Sequence, residues 1–219
     1  RKKLLNNHQE IPVTDFGAGS KNNHFPNRKI SKIAQTSLKS AYQAELLFKL
    51  THYLKANTII ELGTSLGIST AYLASPSSKS KVYSFEGCPN ISKVAQQTFD
   101  ELSLKNIEII EGNIDETLPY TLEKIDKIDL AYLDANHRYE PTMNYFNLCL
   151  EKVHNETVLI FDDIHWSNEM QQAWEEIKKH PQVTVSVDVF YFGLVFFKKE
   201  LSKEDFILRT GDPFIRLIV

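Results

Sequence analysis

Acidic residues stand at the ends of two short apolar segments of this 219-residue chain, where they could carry chemistry. Asp134 follows the apolar segment 128–133, and the pair Asp162-Asp163 follows the segment 158–161. Carboxylate oxygens are hard ligands that suit Mg²⁺, Ca²⁺ or Mn²⁺, and a cation bound to a hydroxyl group makes that group easier to deprotonate. Each residue could instead begin a helix, because Asp is a preferred N-cap residue.

Two histidines follow these acidic residues. His137 stands three residues after Asp134, and it is a candidate general base because an imidazole can accept a hydroxyl proton near neutral pH. Its structural alternative is a histidine that caps or packs against the next helix. His165 and Trp166 follow the acid pair and could line a substrate pocket. His165 could also ligate a metal, and Trp166 could pack against the helix that follows.

A third group of small and acidic residues lies in the segment 58–70. This segment predicts a short apolar strand, a turn of small residues and a helix start, whose first N–H groups would point unpaired into a cleft. That geometry suits a ligand with nucleotide, phosphate or carboxylate groups. Glu61 at the head of the turn argues against a polyphosphate and for a ligand with a cationic amine. The candidate ligand-binding residues are Glu61, Gly63, Thr64, Ser65, Gly67 and Ser69.

Further polar residues follow the next two apolar segments. Glu86 and Gly87 come after the segment 82–85, at the distance from the glycine turn where a carboxylate can accept both hydroxyls of a ribose. Asn113 and Ile114 follow the segment 107–110. Because ligands of an open parallel sheet bind outside the carboxyl ends of its strands, these groups together predict one binding site.

The elements that must position these residues follow from the apolar pattern. Helical spacing predicts one long helix or two consecutive helices over 31–54, with Ser31 as N-cap. Five strands follow, each succeeded by a helix, which implies parallel strands buried on both faces. The segments 183–187 and 191–197 are joined by a short turn and therefore predict an antiparallel pair. We expect an α/β, Rossmann-like doubly wound sheet, mostly parallel with an antiparallel C-terminal hairpin and helices on both faces.

Residues 1–30 are basic, polar and broken by glycine and proline, so we expect a cap or mobile segment there and one domain over 31–219. The run Asp15-Phe16-Gly17-Ala18-Gly19-Ser20 imitates a nucleotide-binding loop. The residues after it cannot open an amphipathic helix, so we interpret it as a loop without that function.

Composition narrows the class of protein. A hydrophobic content of 42% and a net charge of −3 are ordinary for a globular protein and do not point to nucleic acid or an anionic membrane. Two cysteines, Cys88 and Cys149, are too few for a disulfide framework. We expect a cytoplasmic protein that binds a small molecule, and a homodimer is one option for its assembly.

Residues 31–197 resemble the class I S-adenosylmethionine-dependent methyltransferases. The stretch Glu61-Leu-Gly63-Thr-Ser65-Leu-Gly67 is similar to the first motif of that family, and Glu86 to its ribose-binding acid. The resemblance implies that the backbone of 63–67 borders the methionine part of the cofactor, with Glu61 near its amino group. It places Asn113, Ile114 and Asp115 beside the adenine. Ser65 departs from the family, where many members have glycine.

Within that class, the residues around Asp134 and Asp162-Asp163 resemble the cation-dependent small-molecule O-methyltransferases. The resemblance implies that Asp134, Asp162 and Asp163 hold a divalent cation and that Asp134 also contacts the cofactor. His137 stands where catechol-type relatives have a lysine base. The expected reaction is methyl transfer from S-adenosylmethionine to an oxygen of a small molecule.

Two alternatives stay open from the residues alone. A nicotinamide-dependent oxidoreductase would share the fold, but Glu61, the glycine spacing and the missing Tyr-x-x-x-Lys pair argue against it. A methyltransferase-like module without catalysis is the second alternative, and the set of acidic residues argues against that.

Overall fold

The computed structural model of the chain describes residues 1–14 and 27–209. Its helices are α1 (Lys2–Leu5), α2 (Ile30–Ser37), α3 (Ala41–Leu54), α4 (Ile68–Ala74), α5 (Pro89–Glu101), α6 (Ile114–Glu123), α7 (Tyr139–Leu150) and α8 (Asn168–Lys179). Its strands are β1 (Glu10–Pro12), β2 (Asn27–Lys29), β3 (Thr58–Leu62), β4 (Lys81–Glu86), β5 (Ile107–Glu111), β6 (Leu130–Leu133), β7 (Val158–Asp162), β8 (Val185–Asp188), β9 (Phe192–Phe196) and β10 (Glu204–Ile207).

Strands β3 to β10 form one sheet in the order β10-β8-β9-β7-β6-β3-β4-β5. The five predicted strands β3 to β7 pair in parallel, and β9 lies antiparallel between β7 and β8. The predicted Rossmann-like sheet with an antiparallel C-terminal hairpin is therefore confirmed. The strand order reverses between β3 and β6, and a crevice at the carboxyl ends of the strands is expected at such a point.

Strand β10 was not predicted, and the expectation that two strands close the chain is wrong. β10 pairs in parallel with β8, with Glu204 opposite Val185. Its four residues are all exposed, so it forms an edge strand without the apolar run that identifies a buried one.

Alternate side chains of the central strands enter two different cores, as the pleat of a strand requires. Ile60 and Phe161 lie in one core with residues of α6, α7 and α8. Ile59 and Ile160, their neighbours in sequence, lie in the other core with residues of α3 and α4. Helices therefore cover both faces of the sheet, and the loops at its edges are left to form a site.

The predicted helical region 31–54 consists of two helices, which was one of the two expected forms. The break has a local cause: Ser40 and Gln43 form a capping box that begins α3. The predicted N-cap at Ser31 is wrong, because α2 begins at Ile30 and Lys29 is in the capping position. The connection between the helices, residues 38–40, reaches the functional site.

The described part of the N-terminal segment packs on the sheet domain. β1 and β2 pair antiparallel, and Leu4, Ile11 and Ile33 share an apolar cluster with Leu66 and Ile91. The domain boundary after residue 30 stays a prediction. The glycine-containing run 15–20 lies outside the described residues.

Within residues 1–14 and 27–209, no helix has both the length and the apolar character needed to cross a membrane.

Candidate functional site

A cavity of about 510 Å³ lies at the carboxyl ends of β3, β4, β5, β6 and β7. This volume is in the range of small-molecule and cofactor sites. The predicted site residues that line it are Gly63, Ser65, Glu86, Gly87, Asn113, Ile114, Asp134, His137, Asp163 and Trp166. The topology therefore brings together side chains from five separate loops.

The turn after β3 depends on two glycines and on an unusual serine. Gly63 has a φ of +100°, and a Cβ there would lie 2.2 Å from the carbonyl oxygen of Asp134. Gly67 has a φ of +80° and lies against Phe99. Ser65 also adopts a positive φ, of 47°, which residues other than glycine rarely do. This position, where many methyltransferases have glycine, thus keeps a glycine-like backbone.

Hydrogen bonds hold Ser65 in that conformation. Its backbone N–H donates to Glu86 Oε2 over 2.8 Å, and its hydroxyl donates to Ser37 Oγ over 2.9 Å. The other oxygen of Glu86, Oε1, accepts from the N–H of Cys88 over 2.9 Å. The Glu86 carboxylate is therefore fixed at the edge of the cavity. Its place at the cavity wall is consistent with the predicted ribose contact, which stays a prediction.

Glu61 is fully buried and is not among the residues that line the cavity. Its Oε2 accepts from Ser84 over 2.6 Å and also from the Thr70 hydroxyl. Among the described residues, its Oε1 has no hydrogen-bond partner. Burial raises the pKa of Glu61 to about 7, against the hydrogen bonds that lower it. An unpartnered buried acceptor fits a cationic donor nearby, but contact with the cofactor amine stays a prediction.

Three other residues of the predicted ligand-binding set do not line the cavity: Thr64, Gly67 and Ser69. The Thr64 hydroxyl is within 2.6 Å of Ser84 Oγ, and Thr64 and Ser69 are both buried. Their side chains therefore support the turn, and a direct role in binding stays a prediction.

Asp134 and His137 form a pair inside the cavity. His137 Nε2 lies 3.4 Å from Asp134 Oδ1, and the Tyr132 hydroxyl donates to Asp134 Oδ2 over 3.2 Å. Asn136 and His137 have positive φ values of 64° and 31°, so the chain turns sharply enough to bring the imidazole back to the carboxylate. A carboxylate that orients an imidazole is the arrangement that a general base needs.

Lys39, which the sequence did not single out, is the main addition to the site. It lines the cavity, and its Nζ lies 3.1 Å from Asp134 and also donates to Asp162 Oδ2. The side chains of Lys39, Asp134 and Asp162 are only 15%, 14% and 0% exposed. A signal existed in the Ser40-x-x-Gln43 capping box, which would have placed Lys39 in a loop beside the strand ends.

The charged groups of this cluster shift one another's pKa values. Burial is the largest single effect on Asp134 and disfavours its charge, but the Lys39 ammonium and the hydrogen bonds from His137 and Asp162 together lower the pKa of Asp134 to about 2. Burial also opposes the charge on Lys39, but Asp134 and Asp162 raise the pKa of its ammonium. Burial and the neighbouring Asp134 carboxylate raise the pKa of Asp162 well above its usual range.

The predicted cation site can be compared with this arrangement. Asp134, His137 and Asp162 each offer one ligand atom, and these atoms lie within 4.8 Å of one another. Asp163 does not belong to this group, although it lines the cavity. The donors suit a cation, but Lys39 Nζ already contacts both carboxylates, so the site with Lys39 in place does not fit a divalent ion. The metal roles of Asp134, Asp162 and Asp163 stay predictions, and this contact argues against them.

The two residues predicted for the substrate pocket have different positions. Trp166 lines the cavity with 73% of its surface exposed, so it does not pack into the following helix. His165 is not among the lining residues, and its Nε2 lies 2.8 Å from Asp188 Oδ2. His165 therefore belongs to a neighbouring pair outside the proposed cation cluster.

Comparison with known proteins gives a family match over the region that carries the site. Residues 60–164 match a family described as a methyltransferase domain. A catechol O-methyltransferase of Niastella koreensis is 28% identical over 128 residues, which are 57% of each chain. A protein of Sulfolobus acidocaldarius, described as a probable cobalt-precorrin-6B C(15)-methyltransferase, is 31% identical over 87 residues, or 39% of this chain and 42% of that protein. This chain thus spans about half of the length of the curated relatives that it matches.

Solved structures share the fold. The O-methyltransferase TomG of Streptomyces achromogenes, in complex with S-adenosylmethionine, superposes with a TM-score of 0.65 at 21% identity. The superposition covers 76% of this chain and 88% of TomG. At this identity, the likeness identifies the fold.

Proposed function

We propose that this chain, whose residues 60–164 match a methyltransferase domain, transfers a methyl group from S-adenosylmethionine to an oxygen of a small-molecule acceptor. One observation carries the proposal: the turn of Gly63 and Ser65, held to Glu86, shares a single cavity with the Asp134–His137 pair. The first group suits a nucleoside cofactor, and the second suits removal of a hydroxyl proton.

The residues that would hold the cofactor lie along one side of the cavity. The Glu86 carboxylate would accept the ribose hydroxyls, and the backbone from Gly63 to Ser65 would border the methionine part. Asn113 and Ile114 would flank the adenine, although the Asn113 side chain also accepts from the N–H of Asp115 over 3.1 Å. When bound, the cofactor supplies a methyl group on a positively charged sulfur that a nucleophilic oxygen can attack.

His137 would act as the base at the other side of the cavity. Its Nε2 faces Asp134, so Nδ1 is left to take the proton of the acceptor hydroxyl. The deprotonated acceptor oxygen would then be the nucleophile for the methyl group that the cofactor supplies, the cofactor sulfur would be the leaving group, and the proton would stay on the imidazole. Asp134 orients the ring and stabilises its charged form, as the acidic member of a catalytic triad does.

An oxygen acceptor is proposed because the acceptor side has a candidate proton acceptor and because a relative is named a catechol O-methyltransferase. A divalent cation is not part of the proposal, since Lys39 contacts the carboxylates that would bind it. A cytoplasmic location and a homodimer stay predictions.

Ligand binding tests the cofactor. Isothermal titration calorimetry with S-adenosylmethionine, S-adenosylhomocysteine and NAD should show binding of the first two and none of the third. Binding of NAD alone would favour the oxidoreductase alternative and contradict the proposal.

Turnover tests the reaction. A panel of catechols, monophenols, aliphatic alcohols and amines is incubated with S-adenosylmethionine, and products are identified by mass spectrometry. We expect a methylated hydroxyl compound. Cofactor binding combined with methylation of amines alone would contradict the oxygen acceptor, and binding without any turnover across a broad panel would favour the non-catalytic module.

A further inference from the structure

We infer that Lys39 provides, as a permanent part of the chain, the positive charge that a divalent cation provides in cation-dependent enzymes of this fold, and that it contacts the acceptor oxygen. The inference rests on the proposed function for its catalytic part only. Its structural part, that the cluster of Asp134 and Asp162 excludes a metal, can be tested without cofactor or acceptor.

The first argument is the position of the Lys39 ammonium group. It contacts both carboxylates, at 3.1 Å from Asp134 and also at hydrogen-bond distance from Asp162. A divalent cation binds carboxylate oxygens at about 2.0–2.6 Å, so an ion shared by these two residues would occupy the space that Nζ fills. The lysine would have to leave before a metal could bind, and its charge would repel the ion.

The second argument is burial. Asp162 is fully buried, and the Lys39 side chain is only 15% exposed. Removing the ammonium would leave the buried Asp134 and Asp162 side chains without their counter-charge, which costs far more than losing a surface ion pair. The lysine is therefore the resident counter-ion of the cluster.

The third argument is that hydrogen bonds hold the backbone around Lys39. The Arg1 guanidinium donates to the carbonyl oxygen of Lys39, and the next residue, Ser40, is fixed in the capping box of α3. On the other side, the Leu38 N–H donates to the Ala34 carbonyl over 3.3 Å. These backbone contacts position residues 38–40 independently of the contacts of the Lys39 side chain with Asp134 and Asp162.

The number of donors indicates what Lys39 does for the acceptor. An ammonium group has three N–H donors, and the contacts to Asp134 and Asp162 account for two. Lys39 also lines the cavity beside His137. The third N–H can therefore donate to the acceptor oxygen, where it stabilises the negative charge that develops as His137 takes the proton.

The structural test is a Mn²⁺ titration of the full chain followed by electron paramagnetic resonance, in the absence of cofactor. Wild type should bind no Mn²⁺ at millimolar concentration, whereas Lys39→Met should gain a site that the added change Asp162→Asn removes. Lys32→Met is the matched control, because Lys32 is an exposed lysine of α2 that donates to Gln35, and it should bind no Mn²⁺. Wild-type binding that is lost in Asp162→Asn would overturn the inference.

The comparison of Mn²⁺ binding between wild type and Asp162→Asn needs no Lys39 variant. It therefore still tests whether the cluster excludes a metal if Lys39→Met does not fold. The same holds if the proposed function fails, because no cofactor or acceptor is present.

The catalytic test uses the acceptor found in the panel. Turnover by wild type should survive chelation with EDTA, and Lys39→Met should lower kcat by about 10²–10³-fold while cofactor affinity changes little. Lys39→Arg keeps the charge and should recover part of the rate without binding Mn²⁺. Loss of wild-type turnover in EDTA with recovery in Mg²⁺, or full turnover by Lys39→Met, would overturn the catalytic part.

Discussion

The backbone of Gly63 lies directly against the carbonyl oxygen of Asp134, so that a Cβ on residue 63 would come within 2.2 Å of that oxygen. This contact joins the turn after β3, which would hold the cofactor, to the turn after β6, which carries the proposed base pair. The two turns are therefore in direct contact, and a substitution in one turn should change the position of the other.

Gly63→Ala should weaken both stability and cofactor binding. Alanine would be strained at a φ of +100° and would collide with backbone, so we expect a loss of about 1–3 kcal/mol in the free energy of unfolding. Gly112→Ala is the control, since its φ is also positive but its Cβ would meet only a Thr117 methyl, at 3.2 Å. Urea denaturation of the two variants measures their losses in the free energy of unfolding. Equal losses in the two variants would show that the Asp134 contact is not limiting.

Glu86→Gln should weaken cofactor binding without unfolding the chain. The charged acceptor for the Ser65 and Cys88 N–H groups and for the proposed ribose hydroxyls is lost, and hydrogen bonds to charged groups are worth about 1.5–3 kcal/mol. We expect a roughly tenfold to hundredfold higher Kd for S-adenosylhomocysteine by calorimetry. Glu111→Gln is the matched control, because Glu111 is the exposed neighbour of Glu86 in the β4–β5 register. An unchanged Kd for Glu86→Gln would contradict the ribose role.

His137→Ala should lower kcat by about 10²–10⁴-fold, the usual contribution of a general base, with cofactor affinity preserved. His154→Ala is the control, because His154 also pairs with an aspartate, Asp129 at 2.8 Å. These two residues precede β7 and β6, at the amino ends of the strands and away from the cavity. The control should keep its turnover. A His137→Ala variant with wild-type kcat would exclude the base role.

Glu61 should make stability fall as pH rises from 4.5 to about 7. The folded carboxyl has a pKa of about 7 against an ordinary 4.5, so between these values the native state holds a proton that the unfolded state has released. The free energy of unfolding therefore decreases with pH across this window, by up to about 3 kcal/mol from the size of the shift.

Urea denaturation of wild type and Glu61→Gln at several pH values between 4.5 and 7 measures this contribution. The glutamine variant cannot titrate and should show a flatter profile, while Glu111→Gln should follow wild type. A Glu61→Gln profile that parallels wild type would show that Glu61 does not titrate in this window.

Much of the fold follows from local pattern. The alternation of apolar strands with amphipathic helices identifies β3 to β9. It also predicts that β3 to β7 are parallel and that β8 and β9 are antiparallel, because a parallel pair requires a crossover and a short turn excludes one. Strand β10 was not predicted, because a paired edge strand with four exposed residues lacks the apolar run of a buried strand.

The sequence by itself determined where the site lies: polar residues that end parallel strands must meet at one edge of the sheet. Only the tertiary structure decided how they are used. It placed Glu61 beneath the turn and not on the cavity wall, and it brought Lys39 onto Asp134 and Asp162, which are 95 and 123 residues away in the chain. Contacts over such separations depend on how α2 packs beside the turn after β3 and how α3 packs on the sheet, and neither hydrophobic period nor motif spacing records that.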